Sequence, residues 1–319
     1  MKNIFFGVVV FSFIAGLSLQ SCDKVENPYL PEFVDIDTTL LVGQTLSEYK
    51  ANNWPTFTEN SNTLVNVMIE EFTGHLCAPC PAAAVVAHDI KHDHEGRVFI
   101  AAIHAANNGV VLGSLQDYSF APYNTNFTNE NGLEVAVDLA DLDADFFSNP
   151  AANTNRVRFN DHMFHPKTDW AAQTSTILTN NVLKVNLQAA SNYFDESRGF
   201  ILHTEVDLLV PSTADLYQVV YLIEDSLIAP QKIPGGENLT YVHKDIMRGC
   251  IDGKSWGRKL TDAMKVDKNG EVIEGDKYYL NYSYKLPAQY NPANMHVLIH
   301  VYDNATKEIL QVIEHRVKE

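Results

Sequence analysis

The sequence predicts a mixed fold in two parts, an α/β region with a parallel sheet followed by an all-β antiparallel sandwich. Two patterns lead to this prediction. Residues 64–104 read as strand, helix and strand, and beyond residue 182 the apolar side chains alternate with polar ones. The length of 319 residues agrees with it, because that is about two domains of roughly 150 residues each.

The composition is that of a folded and acidic protein. Hydrophobic residues make up 45% and charged residues 20% of the chain, which excludes a disordered or fibrous protein. Forty acidic and 23 basic residues give a net charge of −17. Because such a chain repels phosphate backbones and contains no compact basic stripe, we do not expect it to bind nucleic acid.

The N-terminus has the pattern of a secretion signal. Lys2 precedes an apolar run from Ile4 to Leu19, which is short for a permanent membrane-spanning helix. The run ends in Leu19-Gln20-Ser21-Cys22, which resembles the lipobox of bacterial lipoproteins. This resemblance implies that residues 1–21 are a signal peptide and that Cys22 carries a lipid anchor, whereas the alternative is a buried N-terminal helix.

A tether and then the α/β region follow. Residues 22–62 are rich in Pro, Asn, Thr and acidic side chains and predict a tether, although Trp54 and Phe57 favour some packing on the body. The run from Leu64 to Phe72 is a strand, the run Ala82–His92 is an alanine-rich helix, and Val98–His104 is a second buried strand. Such a unit predicts two parallel strands joined by the helix.

The middle of the chain is less regular. It predicts a short helix within residues 105–146, a polar loop at 124–132 and a strand at 154–159. Residues 169–181 have the spacing of a helix with Asp169 as its cap. We therefore place one domain at residues 63–182 and a sandwich of about seven strands at residues 183–319.

The sequence contains four cysteines, and their spacing favours one pairing. With Cys22 assigned to lipid, Cys77 and Cys80 are the expected couple in an oxidising compartment. Cys250 is the odd one, either a small buried hydrophobe or the site of an intermolecular disulfide.

Cys77 and Cys80 lie between a buried strand and a helix start, which is a reactive position. Unpaired N–H groups and the helix dipole there stabilise a thiolate on Cys77, and Cys80 is close enough to close a disulfide. The alternative is a structural disulfide. Haem attachment would need a His where Pro81 stands, and a zinc site would need a second ligand pair. No cofactor or metal is therefore expected.

Several other groups of side chains can be interpreted either as functional sites or as ordinary structural residues. His75 could stabilise the thiolate of Cys77, or it is an exposed turn residue. His88, His92 and His94 are better explained by a solvated helix face than by a metal site. Asp141, Asp143 and Asp145 lack the Gly and Glu of a calcium loop. The strand Tyr278–Tyr284 has aromatic rings on both faces, and we expect one face to lie in the core. The tyrosines on the other face either form a recognition patch or pack against side chains of a neighbouring strand.

The segment from Ile69 to Cys77, with Cys77-Ala78-Pro79-Cys80, resembles the thioredoxin superfamily over residues 62–181. The resemblance implies a thioredoxin-like domain in which Glu71 is the buried carboxylate beneath the disulfide and takes a proton during exchange. It also implies that Pro150 is the cis-proline beside the disulfide, which pairs with the substrate backbone.

The whole chain is similar to the Omp28-related outer-membrane lipoproteins. The lipobox, the Glu70-Glu71-Phe72-Thr73-Gly74 segment before Cys77, Asn155-Arg156 after Pro150, and a β-rich tail with Tyr241, His243 and Arg248 carry this resemblance. It implies a thioredoxin-like domain, an Ig-like sandwich, and lipid anchoring at the outer membrane or cell surface of a Gram-negative envelope, with the periplasmic face as the other orientation. Adhesin or receptor roles are implied beside redox ones.

Two functional hypotheses follow. In the first, the protein is a membrane-tethered thiol–disulfide oxidoreductase in which Cys77 attacks, Cys80 resolves, Glu71 relays protons and Pro150 aligns the substrate. This hypothesis expects the Cys77 sulfur to be exposed and to face a cis Pro150. In the second, the protein is a non-enzymatic surface or adhesin-type lipoprotein with a structural disulfide. Envelope or surface proteins are the expected partners in both.

Overall fold

A computed structural model describes residues 36–105, 115–143 and 149–318. The expected signal peptide, the lipidation site Cys22 and Asp145 of the acidic loop lie outside the described residues. Among the described residues no helix has the length and hydropathy needed to cross a membrane.

The described chain is mixed α/β and mostly sheet. The α-helices are α1 (Leu46–Asn52), α2 (Cys80–Asp93), α3 (Glu130–Leu142) and α4 (Trp170–Asn180), with 3-10 turns at Thr38–Leu40, Asp262–Met264 and Pro292–Asn294. The strands are β1 (Val67–Phe72), β2 (Val98–Ile103), β3 (Ala151–Thr154), β4 (Val185–Phe194), β5 (Gly199–Leu208), β6 (Leu216–Glu224), β7 (Leu227–Ile233), β8 (Gly236–His243), β9 (Ile246–Cys250), β10 (Arg258–Lys259), β11 (Lys277–Lys285), β12 (Met295–Asp303) and β13 (Ile309–Arg316).

One large sheet runs through both halves of the chain. Its order within the described residues is β13-β12-β6-β9-β2-β1-β3, with β10 also paired to β6. β1 and β2 are parallel, as the strand–helix–strand pattern predicts, and β3 is antiparallel to β1. β2 continues into the C-terminal half because Ala102 pairs with Ile246 of β9. Hydrogen-bonded sheet therefore crosses the expected domain boundary between residues 182 and 183.

Layers cover both faces of this sheet. Val67 and Ile69 of β1 pack on one face against Ala83 and Ala87 of α2 and Trp170 of α4. Alternate residues of the same strands point to the opposite face, where α3 packs. A second sheet, β11-β5-β4, covers the β6–β12 part of the α2 face and encloses a further apolar core. The only other sheet in the described chain is the hairpin β7–β8.

The expected tether is partly folded. From residue 36 onward it contains α1, which starts with a reciprocal cap between Thr45 and Glu48. Tyr49 of this helix is fully buried against the second sheet, and its hydroxyl lies 2.7 Å from Nε2 of His203. The ring centroid of Trp54 lies 4.4 Å from that of the same imidazole, with the two planes tilted by 52°, so this aromatic residue does pack on the body, as the sequence suggests.

Three sequence predictions differ from the structure. The strand predicted at residues 154–159 lies at 151–154, because Asn155 and Arg156 adopt positive φ angles that end it. The loop predicted at 124–132 ends at Asn129, whose side chain caps α3 by accepting from the N–H of Gly132. Beyond residue 182 the described chain has ten strands instead of about seven, divided between two sheets and a hairpin.

Candidate functional site at the Cys77–Cys80 disulfide

The structure pairs Cys77 with Cys80 in a disulfide at the head of α2, with the two Cα atoms 5.4 Å apart. The expected couple is therefore confirmed. Cys80 is the first residue of α2, and Pro79 at the cap position supplies no side-chain hydrogen bond. The dipole and the first N–H groups of the helix thus favour negative charge on sulfur at this end.

Both cysteines are buried, and the prediction of an exposed Cys77 sulfur is wrong. Cys77 is 2% exposed and Cys80 is 1% exposed. The cause is the hairpin β7–β8, which follows the disulfide by about 150 residues in sequence and lies over its loop. The side chain of Gln231 donates to the carbonyl oxygens of Gly74 at 3.2 Å and Cys77 at 3.1 Å, and the N–H of Lys232 donates to the carbonyl of His75 at 2.8 Å.

The loop is also held from its other side. The N–H of Leu76 donates to the carbonyl of Leu115 at 3.1 Å, and the side chain of Gln116 donates to the carbonyl of Thr73. A Cβ on Gly74 would lie 2.6 Å from the carbonyl oxygen of Leu115, so glycine is required for this close approach. The loop is therefore fixed between two segments that are distant in sequence.

Pro150 lies beside the same loop. The Asn149–Pro150 peptide bond is cis, as the sequence resemblance implies. The side-chain amide of Asn149 donates to the carbonyl of Thr73 at 2.7 Å, and Ala151 pairs with Phe72 at the end of β1. These contacts bring the proline segment against the chain that leads from β1 to Cys77.

Glu71 is the most perturbed carboxyl in this region. It is 2% exposed at the end of β1, and its Oε1 has no hydrogen-bond partner among the described residues. Burial, with a smaller contribution from the charge of Asp245, raises the pKa of Glu71 to about 8. Glu71 is therefore mostly protonated at neutral pH, and its side chain is buried.

A cavity of about 350 Å³ connects Glu71 with the disulfide. The sheet supplies its floor, α2 forms one wall, and β8 with the residue that follows it forms the other. Of the two disulfide cysteines, Cys80 lines this cavity. The lining residues are Glu71, Thr73, Cys80, Pro81, Ala84, Val85, His88, Asp89, Ala102, His104, Gln231, Tyr241, Val242, His243 and Lys244.

Two buried histidines line the cavity with Glu71, and the sequence did not identify them as site residues. Nδ1 of His104 and Nε2 of His243 have no hydrogen-bond partner among the described residues. Burial lowers the pKa of His243 to about 4 and that of His104 well below its ordinary value, so both rings are neutral. Their centroids are 5.9 Å apart, and Phe127 packs on both. The Tyr241-x-His243 motif was the only sequence signal for this pair.

His75 does not act as a neighbouring cation. It is buried, its Nε2 lies 2.8 Å from the carbonyl oxygen of Asp117, and burial lowers its pKa. A neutral ring cannot stabilise a thiolate by its charge at neutral pH. Both interpretations drawn from the sequence, a thiolate-stabilising cation and an exposed turn residue, are therefore wrong.

Of the remaining predicted residues that the structure describes, His88 lines the cavity and the others lie outside it. His88 and Lys91 of α2 contact the buried carboxylate of Asp245, at 3.5 and 2.9 Å respectively. Within the described ranges no three His, Cys, Asp or Glu side chains are grouped so that they could hold a metal ion.

Cys250 is unpaired among the described cysteines and buried in β9, and burial raises the pKa of its thiol. This agrees with the interpretation of Cys250 as a small buried hydrophobic residue.

A buried ion pair on the opposite face of β1 was not predicted. The guanidinium of Arg156 donates to both carboxylate oxygens of Glu70, at 2.7 and 2.6 Å, and to the hydroxyl of Tyr221 at 3.0 Å. Burial alone would raise the pKa of Glu70, but Arg156 holds it below its ordinary value. The pair therefore ties β1 and the turn after β3 to β6 of the C-terminal half.

Comparison with known proteins gives one family and one shared fold. The family model "Outer membrane protein Omp28" matches residues 145–319, more than half of the chain. No curated protein sequence is significantly similar. The structure is similar to HBP35 of Porphyromonas gingivalis, with a TM-score of 0.60 and 12% identity over 81% of this chain and 76% of that chain. This likeness concerns the fold alone.

A second similar structure is a domain of the outer membrane lipoprotein Omp28 from Porphyromonas gingivalis. Its TM-score is 0.28 at 17% identity, over 43% of this chain and 90% of that domain. The family match itself covers the region that contains β3 to β13. Because the family match covers more than half of the chain, the chain belongs to the outer membrane protein Omp28 family, and its location is the outer membrane or the cell envelope.

Proposed function

We propose that the protein is an envelope lipoprotein, anchored through Cys22, that carries a thioredoxin-like unit and an Ig-like sandwich and exchanges disulfides at Cys77–Cys80. The substrates in this proposal are thiols or disulfides of the envelope. Glu71 takes and returns the proton, and Pro150 positions the substrate. Its anchor is a lipid, so the folded body lies at the membrane surface.

The observation that carries this proposal is Glu71. A buried carboxyl without a hydrogen-bond partner lowers stability, and a disulfide that served only as a crosslink would not require one. Its pKa of about 8 is close to that of an ordinary thiol, so a proton can pass between the two groups with little change in free energy. Glu71 and Cys80 line the same cavity, which gives the proton a short path.

A second candidate is a non-enzymatic binding protein in which the disulfide is structural. The burial of both cysteines, with Gln231 bonded to the carbonyl oxygen of Cys77, favours it, because thiols of folded proteins cannot reach a buried sulfur. In that case the disulfide fixes the loop after β1 to the start of α2, and binding would occur elsewhere on the surface.

The reduction potential separates the two candidates. The purified full-length chain is equilibrated with thiol buffers of graded potential, and the Cys77–Cys80 state is read by mass spectrometry. We expect a potential above about −300 mV and measurable exchange with thiols. Glu71→Gln should slow exchange about tenfold or more, whereas Glu130→Gln, an exposed carboxyl of α3, should not. A couple below about −300 mV that neither reduces insulin nor oxidises thiols would leave only the binding protein.

A further inference from the structure

We infer that thiols reach this disulfide through the cavity, that they attack Cys80 instead of Cys77, and that they are small aminothiols of the cysteamine or cysteine type. This inference rests on the proposed exchange function and names its substrate class. It differs from the sequence-based hypothesis, in which Cys77 reacts first with a protein. Three features of the cavity support it.

The first feature is the direction of access. Cys80, Ala84 and His88 are spaced four residues apart on α2, so they form one line along the helix, and all three line the cavity. Cys77 lies at the other end of the disulfide, where Gln231 donates to its carbonyl oxygen. A thiolate attacks one sulfur of a disulfide and expels the other as the leaving group. Entry from the cavity therefore forms a bond to Cys80 and releases Cys77.

The second feature is size. A volume of about 350 Å³ is near the lower end of the range of roughly 300–1,000 Å³ that small-molecule sites occupy. It has room for small thiols but not for a folded protein. A cysteine on the surface of a folded protein would have to pass between the side chains of α2 and those of β8, where Val85 and Val242 stand on opposite walls.

The third feature is hydrogen-bonding character. Nδ1 of His104 and Nε2 of His243 have no partner among the described residues, while the other ring nitrogens bond to the Gln116 side chain and to the backbone of Ala229. Because those partners favour the protonated ring, we assign the N–H to the bonded nitrogen and an acceptor lone pair to the free one. With the carbonyl oxygen of the Glu71 carboxyl these nitrogens form a set of acceptors, which complements an ammonium group.

The exchange step balances without a further reactant. The carboxylate form of Glu71 takes the proton of the entering thiol, and the resulting thiolate attacks Sγ of Cys80. A bond forms between the two sulfurs, the Cys77–Cys80 bond breaks, and Cys77 leaves as a thiolate at the helix head. A second aminothiol gives its proton to the Cys77 thiolate and attacks the sulfur of the first aminothiol in the mixed disulfide, and Cys80 leaves and takes the proton that Glu71 holds. Two thiols are oxidised to one disulfide and the protein disulfide is reduced.

Variants that lack one cysteine of the disulfide test the direction of access. In the full chain, Cys77→Ala leaves Cys80 free and Cys80→Ala leaves Cys77 free. Each is treated with cystamine, and the adduct is located by fragmentation mass spectrometry, which separates it from Cys250. We expect Cys80 to be labelled at least about tenfold faster than Cys77. Equal labelling, or faster labelling of Cys77, would overturn the inference while leaving exchange itself intact.

A cavity-filling variant tests the route and the substrate class. Val242→Trp places a large ring at the cavity wall, and Leu239→Trp is the matched control on the exposed part of β8. We expect Val242→Trp to slow reduction of the native disulfide by cysteamine about tenfold and Leu239→Trp to leave it unchanged, with both variants folded by circular dichroism.

Cysteamine should also reduce the native protein faster than 3-mercaptopropionate, which lacks the ammonium group, and faster than a reduced protein dithiol. Preference for mercaptopropionate or for the protein dithiol would contradict the inference. If none of the three reagents exchanges with the disulfide, the proposed function fails as well, and the two failures are thereby distinguished.

Discussion

Glu71 illustrates how one buried side chain can link stability to chemistry. Its carboxyl lies on the α2 face of the sheet, in a cavity floor shared with His104, and the nearest charge that affects it is the carboxylate of Asp245. Both burial and that charge favour the protonated form. The folded protein therefore binds a proton at Glu71 that the unfolded chain releases near pH 4.5.

This difference predicts a pH dependence of stability. Because the folded state holds the proton up to about pH 8, the contribution of Glu71 is fully present below pH 4.5 and is lost as pH rises from there to about 8. The substitution Glu71→Gln keeps the size and shape of the side chain but removes its ionisable group. We expect the variant to become more stable than the native chain by on the order of 1–3 kcal/mol at pH 8, and the difference to shrink towards pH 5. Urea unfolding at both pH values measures it.

At the residue scale, the sequence predicted the side chains that local motifs carry. Glu71, Cys77, Cys80 and the cis bond at Pro150 follow from the segment around the two cysteines and its resemblance to a known superfamily. The neutral histidines and the burial of Cys77 did not follow from it, because they depend on a hairpin that is remote in sequence.

At the scale of elements, the hairpin β7–β8 decides what can reach the disulfide. Most residues of β8 are exposed to solvent. On the partner strand β7, by contrast, the side chain of Gln231 is buried. Its single amide group donates to the carbonyls of Gly74, Cys77 and Lys232, so one side chain holds the hairpin against the loop. Hairpins with few apolar contacts open at a lower free energy than the core.

Removing this amide should admit larger thiols. Gln231→Ala deletes the side-chain hydrogen bonds to Gly74 and Cys77. We expect reduction by a protein dithiol to accelerate at least about fivefold, since a net hydrogen bond contributes about 1 kcal/mol, while reduction by cysteamine changes less than twofold. Thr240→Ala, at an exposed position of β8, is the control. Stopped-flow fluorescence gives both rates, and an unchanged protein-dithiol rate would show that the hairpin does not limit access.

Helices and strands with a clear periodic pattern of hydrophobic residues could be predicted from the sequence, but the strands with which they pair could not. α2 and the strands on either side of it lie within a few residues of their predicted positions, because alanine content and apolar runs are local signals. β3 was displaced by the positive φ angles of Asn155 and Arg156. The pairing of β2 with β9 has no local signal, since the two strands are far apart in the sequence.

At the scale of the whole molecule, the shared sheet makes the two halves of the chain mechanically continuous. The Glu70–Arg156 pair lies at this junction, with Tyr221 of β6 donating its hydroxyl hydrogen to Oε1 of Glu70 at 3.1 Å. Arg156 also lies over the rings of Trp256 and Tyr302. A cation from the turn after β3 is thus surrounded by side chains of the C-terminal half.

Breaking the pair on one side should therefore destabilise both halves together. Arg156→Met leaves the Glu70 charge buried without its partner, and we expect a loss of about 3–5 kcal/mol in the free energy of unfolding. The double variant Glu70→Gln, Arg156→Met removes both charges and should recover much of that loss. Arg158→Met, at an exposed neighbouring position, should cost less than about 1 kcal/mol.

Hydrogen exchange read separately on β1 and on β12 tests whether the coupling is global. The sheet connects these strands through β2, β9 and β6, so their amides should lose protection by the same free energy in Arg156→Met. Selective loss in β1, with β12 unchanged, would mean that the halves unfold independently despite their shared hydrogen bonds. Equal loss would mean that a side chain beyond the disulfide region sets the stability of the scaffold that holds Glu71 and Cys80 in place.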